Sequence, residues 1–417
     1  MIMAIDLGST SFKAAVFDRR LRQLRAGSRR LVYRFGAGGS VELAVAHALS
    51  ALRGAVTDAC AADYNLSAIA LTSQAQTFTM VDDRGRSQMP FVSWQDSSAG
   101  AACAQLKGKL KHFGAHCSFG EILPGLQICQ LRRRRPKARL MPLNLPSYVL
   151  RLWTGAAVTD ENIAAMSGLY SLKKRGWWPE ALRACGLRER QLPKIIPVGG
   201  IAALTTAAAR RFGLPAGIPV ILAGNDQTAG GYAAYLEQKK ELLITLGTAQ
   251  VAYAATSKLP RAAPGLVRGP YPGGLFYSMA ADECGGNVVT WAQTVLAGCA
   301  TEARFEALSA QSPKGCRGMV FEPDVPLARG AWRNIAFRHG PGDLARAVLE
   351  ALSRRMADLA RRVYPAGLPS IKVAGGGAQS RLWRSIIADA LGVTVQRTTA
   401  TPLAGAARMA LETVRGK

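Results

Sequence analysis

Residues 2–17 hold two short apolar runs, "IMAI" and "FKAAVF", broken by Asp6-Leu7-Gly8-Ser9-Thr10-Ser11. The spacing predicts a β-hairpin whose turn region gathers a carboxylate, a glycine and hydroxyls, with Lys13 just beyond. The pattern has a partial echo at 242–254, "LLITLGTAQVAYA", where an apolar strand again meets Leu-Gly-Thr and an alternating strand leaves it. Two similar hairpins, each opening a long mixed stretch, predict two domains of related plan. The charged segment "LEQKKE" (236–241) marks the expected boundary, giving domains 1–235 and 236–417.

Other segments alternate between strand and helix patterns, as an α/β protein requires. Residues 41–56 carry helical spacing, and 66–73 read as a buried strand. Residues 78–88 read as strand, Asp-rich turn and return. Residues 218–224 predict a strand ending at Gly-Asn-Asp, and 343–363 a long amphipathic helix. Residues 371–392 predict a strand, a triple-glycine turn (375–377) and a helix capped by Ser380.

Composition fits a globular chain, 49% apolar and 19% charged, which excludes wholesale disorder. No uninterrupted apolar run approaches the ~18 residues of a membrane span. Asp6 interrupts the first apolar run, so no signal peptide is expected. The eight cysteines form no Cys-x-x-Cys pair and are expected to be reduced thiols of a cytoplasmic protein. The net charge of +26 favours polyanionic partners, but a bias toward solvated arginines accounts for it more simply. Around Arg132–Arg135 no aromatic residue interleaves for base stacking, so a solvated helix end is expected rather than a nucleic-acid site. His112, His116 and Cys117 lack a fourth metal ligand nearby and read as a surface histidine pair.

The two hairpin turns carry the candidate chemistry. Glycine N–H groups and hydroxyls suit phosphate oxygens, so Thr10 and Thr248 are candidates to face one ligand, with Lys13 adding positive charge. Asp6 suits a magnesium ion held through water. The triple glycine opening a helix adds to a nucleotide reading. Asp226, between a strand and a helix, fits two roles equally on spacing: general base or helix N-cap. Trp94-Gln95-Asp96 suits a polyhydroxylated ligand, or else a buried Trp beside a turn-forming Asp.

Seven segments, in order, resemble the FGGY carbohydrate kinase family. "AIDLGSTSFKAAVFD" is similar to its first phosphate motif, and "LTSQAQTFTMVDDRGRSQMPFVSWQDSSAG" to its sugar-binding stretch. "VTDENIAAMSGLYSLKKRGW", "AGNDQTAGG", "LLITLGTAQVAY", "ECGGNVVTW" and "VAGGGAQSRLWRSIIADALGVTV" follow. The resemblance implies an α/β fold of two actin-like (ribonuclease H-like) domains, each a mixed sheet flanked by helices, with the active-site cleft between them. It implies ATP and Mg²⁺ as cofactors. Its phosphate contacts would be Gly8, Ser9, Thr10, Lys13, Gly247 and Thr248, and its adenosine contacts Gly286, Gly376, Gly377 and Ser380. Sugar contacts would come from Gln74, Ala75, Gln76, Trp94, Gln95, Asp96, Asp226 and Gln227. Asp226 would be the catalytic base and, with Asp6, a magnesium ligand through water. The implied reaction is phosphorylation of a primary hydroxyl of a small ketose, such as a pentulose, or a polyol. The alternative is a catalytically weak nucleotide-binding regulator. Expected partners are the sugar or polyol and ATP, with neither membrane nor nucleic acid, and a homodimer left open.

The chain departs from the family in three places. Gln74-Ala75-Gln76-Thr77 stands where ketose kinases read Gln-Met-His-Gly and glycerol kinases Gln-Arg-Glu-Thr. Ser97 and Ser98 replace two arginines that often follow the Trp-Gln-Asp. Residues 321–337 are shorter than the family's Gly-Glu-Arg loop.

Overall fold

The first hairpin forms as Ile2–Leu7 against Ser11–Phe17, antiparallel, with Asp6 opposite Lys13 and Leu7 opposite Phe12. The computed structural model describes residues 1–60, 64–238, 241–296, 301–324, 329–368 and 370–416. Packing divides it into two units. Unit 1 comprises Met1–Glu237, Thr256–Tyr277 and Ala400–Lys417; unit 2 comprises Gln238–Ala255 and Ser278–Thr399.

In unit 1 a mixed six-stranded sheet runs in the order Ile201–Leu204, Pro219–Asn225, Ala68–Ser73, Ile2–Leu7, Ser11–Phe17, Gln23–Arg30. The three central strands from Pro219–Asn225 to Ile2–Leu7 are parallel. Every residue of Ile2–Leu7 is buried, because helices cover both faces. Met3, Ile5 and Leu7 pack with the helix Val45–Ala59 through Ala48, Leu52 and Ala55. Ile2 and Ala4 face the other way, toward Leu403, Ala406 and Ala410 of the helix Pro402–Arg415. A smaller five-stranded sheet, which includes Phe78–Val81 and Phe91–Val92, carries residues 74–96.

In unit 2 the second hairpin, Glu241–Leu246 and Gln250–Thr256, repeats the plan of the first. As Ile2–Leu7 pairs in parallel with Ala68–Ser73, so Glu241–Leu246 pairs in parallel with Ser370–Ala374. Helices include Gly286–Val295, Pro341–Val363 and Arg381–Leu391, the last capped by Ser380, whose hydroxyl accepts from the Trp383 N–H (3.0 Å).

The packing units interleave along the chain, since 256–277 and 400–417 return to unit 1; the alanine-rich face of Pro402–Arg415 fits the alanines of the first sheet. Two expectations change. The helix expected over 41–56 begins at Val45, because Ser40–Leu43 pairs with Arg34–Gly36 and Phe91–Val92. The two histidines are no pair: His112 is exposed, while half-buried His116 stacks on Trp178 (centroids 4.5 Å apart) with Nδ1 2.8 Å from Ser171 Oγ. Among the described residues no cluster of three potential metal ligands occurs, no helix is long and apolar enough to cross a membrane, and seven cysteines are free thiols. Cys299 lies outside the described residues.

Candidate active site

Unit 1 gathers three charged groups at the ends of its central strands. Asp6 and Lys13 face each other across the hairpin, and Asp6 aligns with Thr72 on the other side. The Thr72 hydroxyl donates to the Gly224 carbonyl (3.0 Å), joining this strand to the one that leads into Asp226. Asp226 is the first residue of the helix Asp226–Ala233, but it is not the cap. Asn225 caps the helix, its Oδ1 accepting from the Thr228 N–H (3.0 Å). The N-cap alternative for Asp226 therefore falls; its Oδ1 accepts from the Gln227 N–H (2.8 Å) instead.

Asn162, which sequence reading passes over, holds this junction. Fully buried, it accepts from the Asn225 N–H (3.0 Å) and donates to Thr228 Oγ1 (2.9 Å) and the Pro270 carbonyl (2.8 Å). Its helix is started by Asp160, whose Oδ1 accepts from the Asn162 and Ile163 N–H groups. The Thr-Asp cap signal was visible in sequence, but the partners of Asn162 lie 63 or more residues away.

Burial, and then the neighbouring Asp226 carboxylate, push the Asp6 carboxyl up to about 7, against the pull of Lys13. Burial also raises Asp226, opposed by hydrogen bonds from Gln227 and by Lys13. Asp6 Oδ1 is buried with no hydrogen-bond partner. Two close carboxylates, one with an orphaned oxygen, fit Mg²⁺, which takes one or two protein carboxylates and fills the rest of its shell with water and phosphate oxygens. The metal-free protein carries a measurable cost. An unfolded Asp6 ionises near pH 4, whereas the folded one holds its proton to about pH 7. The folded state therefore binds more protons across that window, and its stability falls as pH rises through it. With divalent cations chelated, Asp6→Asn should raise the melting temperature by a few degrees at pH 8 and leave it unchanged at pH 4. A Tm difference independent of pH would contradict this account.

The expected sugar residues separate into two groups. Gln74 and Asp96 are committed to the protein. Gln74 donates to the Gly8 carbonyl (3.3 Å) and Tyr33 hydroxyl (3.4 Å) and accepts from Thr77 Oγ1 (3.1 Å). Asp96, wholly buried, accepts from the Val41 and Ser98 N–H groups, Ser40 Oγ, Ser98 Oγ and Gln130 Nε2. Burial works to raise its pKa, but these hydrogen bonds outweigh it and hold the carboxyl low. The second group stays accessible. Trp94 is 43% exposed, Gln95 is exposed, and Ala75, Gln76 and Gln227 are half-buried. Gln76 takes a left-handed backbone (φ 67°), a strained choice for a non-glycine residue, and its Oε1 accepts from the Gln127 N–H (3.3 Å). Gly8 and Ser9 are half-buried, and Thr10 and Lys13 exposed.

In unit 2, Gly247, Thr248, Gly286, Gly376, Gly377 and Ser380 line one cavity of about 900 Å³. The hairpin turn and the helix Gly286–Val295 are tied together, the Gly286 N–H donating to the Gly247 carbonyl (2.9 Å). Glycine is required at 375, where φ is +93° and a Cβ would lie 2.4 Å from the Leu246 carbonyl oxygen. Sequence reading missed Trp291, Phe305 and Trp383, which supply aromatic walls to the cavity. It thus offers backbone amides and a hydroxyl at its glycine-rich lining and flat apolar surface elsewhere, a combination that suits a nucleotide.

Comparison with known proteins gives a consistent result. The profile of the FGGY family of carbohydrate kinases, N-terminal domain, matches residues 1–232, and that of the C-terminal domain residues 242–413. Xylulose kinase of Escherichia coli (strain K12) is 26% identical over 83% of this chain and 76% of its own length. L-fuculokinase of Salmonella typhi is 24% identical, covering 98% of this chain and 91% of its own. Glycerol kinase of Agrobacterium fabrum (strain C58 / ATCC 33970) is 26% identical over 98% of this chain and 89% of its own. Among solved structures, ligand-bound xylulose kinase from Lactobacillus acidophilus superposes with a TM-score of 0.91 at 20% identity, covering 100% of this chain and 90% of that one. Plasmodium falciparum glycerol kinase with ADP gives 0.89 at 14% identity, covering 100% and 90%.

Proposed function

This chain belongs to the FGGY family of carbohydrate kinases, and we propose that it transfers the γ-phosphoryl group of ATP to a primary hydroxyl of a small ketose or a polyol longer than glycerol. The observation that carries the reading is the Asp226 carboxylate, released from capping by Asn225 and set beside Asp6 and Lys13. Asp226 takes the proton of the attacking hydroxyl, whose oxygen bonds to the γ-phosphorus as the bond to the ADP oxygen breaks. A raised pKa brings the base closer to the operating pH, where proton transfer is most effective. In unit 1 the proposed phosphate contacts are Gly8, Ser9, Thr10 and Lys13; in unit 2, Gly247 and Thr248 are the candidate phosphate contacts on the cavity lining. The cavity lined by Gly286, Gly376, Gly377 and Ser380 takes the adenosine. Asp6 and Asp226 would hold Mg²⁺ through water, and the bound ion would supply charge neutralisation for the transferring phosphoryl group.

The accessible acceptor-side groups, Gln76, Trp94, Gln95 and Gln227, are all neutral. They suit hydroxyls and a carbonyl, with the indole covering a carbon chain. Ala75 leaves space where a larger side chain would close on a three-carbon substrate. ADP release should therefore be measured across pentuloses, hexuloses, heptuloses and polyols. The best ketose or longer polyol should exceed glycerol by about 10-fold or more in kcat/KM, the scale of one or two lost contacts. Glycerol as the best substrate would overturn the acceptor assignment; no ADP release with any acceptor would favour the regulator.

A further inference from the structure

Both ends of the helix that bears Asp226 are fixed, and the fixture at its far end has no part in the chemistry described above. Arg408, on the helix Pro402–Arg415, is only 4% exposed although charged. Its Nη1 donates to the Tyr232 carbonyl (2.6 Å), near the C-terminal end of Asp226–Ala233. Its Nη2 lies 2.6 Å from Glu237 Oε1, and its Nε donates to Glu412 Oε1 (2.9 Å). The guanidinium lies over two rings, 4.2 Å from the centre of Tyr232 and 3.8 Å from that of Tyr235. Glu412 also accepts from the Tyr232 hydroxyl, and the Tyr271 hydroxyl approaches Glu237 (3.5 Å).

Burying an arginine is costly unless its charge and donors are met, and here two carboxylates, a carbonyl and two aromatic faces meet them. The choice of partners is informative. A cation at a helix C-terminus interacts favourably with the helix dipole, and the Arg408 donor joins the Tyr235 N–H (3.1 Å) on the Tyr232 carbonyl. Asp226–Ala233 has only eight residues, too few to hold a direction unaided. Asn162 and Asn225 fix its first turn and Arg408 its last. Glu237 is the residue at which the chain leaves unit 1, so the same guanidinium also fixes the segment that follows the helix.

We propose that Arg408 is a positioning residue for phosphoryl transfer, acting through the helix Asp226–Ala233 to hold the Asp226 carboxylate in line with the attacking hydroxyl. The proposal rests on Asp226 being the base. A misplacement of about 1 Å at a reacting group can cost on the order of 10²-fold in rate, so a loosened helix end is enough to matter.

The test is a double-mutant comparison on the best substrate. Arg408→Met keeps the length of the side chain and removes the fork. It should lower kcat by about 10-fold or more while changing the KM values for acceptor and ATP by less than about 3-fold. In an Asp226→Asn background the same change should lower the residual rate by less than about 2-fold, because there is no base left to position. Arg408→Lys, which keeps the charge but loses the planar fork, should fall between. If Arg408→Met does not fold, Tyr235→Leu, which strips one stacking face and leaves the ion pairs, carries the same comparison with a smaller loss. Equal losses in both backgrounds, or full turnover in a folded Arg408→Met protein, overturn the proposal while leaving Asp226 as base. Near-normal turnover by Asp226→Asn alone removes the base assignment and this proposal with it.

Discussion

Asp226→Asn should leave the fold and the affinity for nucleotide close to those of the unaltered chain and lower kcat by about 10²-fold or more, the usual scale for a positioned general base. The substitution is nearly isosteric. Asn225, not Asp226, caps the helix, so the cap is untouched. The Asp226 Oδ1 that accepts from the Gln227 N–H (2.8 Å) has an equivalent in the asparagine amide. What disappears is the capacity to accept a proton at neutral pH. Removing one of two facing carboxylates also relieves Asp6, whose pKa should fall. Steady-state kinetics with the best acceptor, paired with a thermal melt, separate the outcomes. A folded variant with near-normal turnover would refute the catalytic assignment.

Gly405→Ala, a change of one methyl group, should destabilise unit 1 by about 3 kcal/mol or more, beyond most core substitutions. At this position the helix Pro402–Arg415 crosses Asp226–Ala233 with no space between backbones. A Cβ on Gly405 would lie 1.7 Å from the Ala229 carbonyl oxygen and 2.6 Å from its carbon. Rotamer changes cannot relieve a clash made by the Cβ itself, so one helix has to shift. Whichever moves, the Asp226 helix loses its seat and activity falls with stability. Urea or thermal unfolding followed by circular dichroism, alongside kcat, measures both. An unchanged midpoint would mean that the two helices are not in backbone contact.

Much of this arrangement was legible in the chain because it is local. The hairpins at 2–17 and 241–256, the strand ending at Asn225, the long helix Pro341–Val363 and the Ser380 cap are written in short-range alternation, helical spacing and turn residues. The glycine turns at 247 and 375–377 leave a compositional mark, whereas Gly286 was named through the family resemblance. Other features had no local mark. Asn162 meets Pro270 across 108 positions and Arg408 meets Tyr232 across 176. An arginine among the alanines of residues 403–411 reads simply as the polar face of an amphipathic helix. Burial was equally hidden. Gln74 and Asp96 look like their neighbours Gln76 and Gln95, yet they are enclosed and their polar groups are consumed within the protein. The Arg132–Arg135 run also differs from a wholly solvated helix end: Arg132 and Arg134 are half-buried, bonded to the Ala184 carbonyl and to Gln130.

The return of residues 400–417 to unit 1 sets an order of events during synthesis. When Glu237 leaves the ribosome, all six strands of the first sheet are present but the helix that covers its alanine-lined face is not. At about 5–20 residues per second, that helix follows after on the order of 10–30 s. Throughout that interval Ile2, Ala4, Ala68, Ala70 and Ile221 face water or a chaperone. A fragment ending at residue 237 should therefore accumulate as aggregate, and a peptide spanning 400–417, supplied separately, should rescue part of it in soluble form. Nascent-chain rescue, rather than the stability of the finished protein, is where substitutions on that helix face would register first.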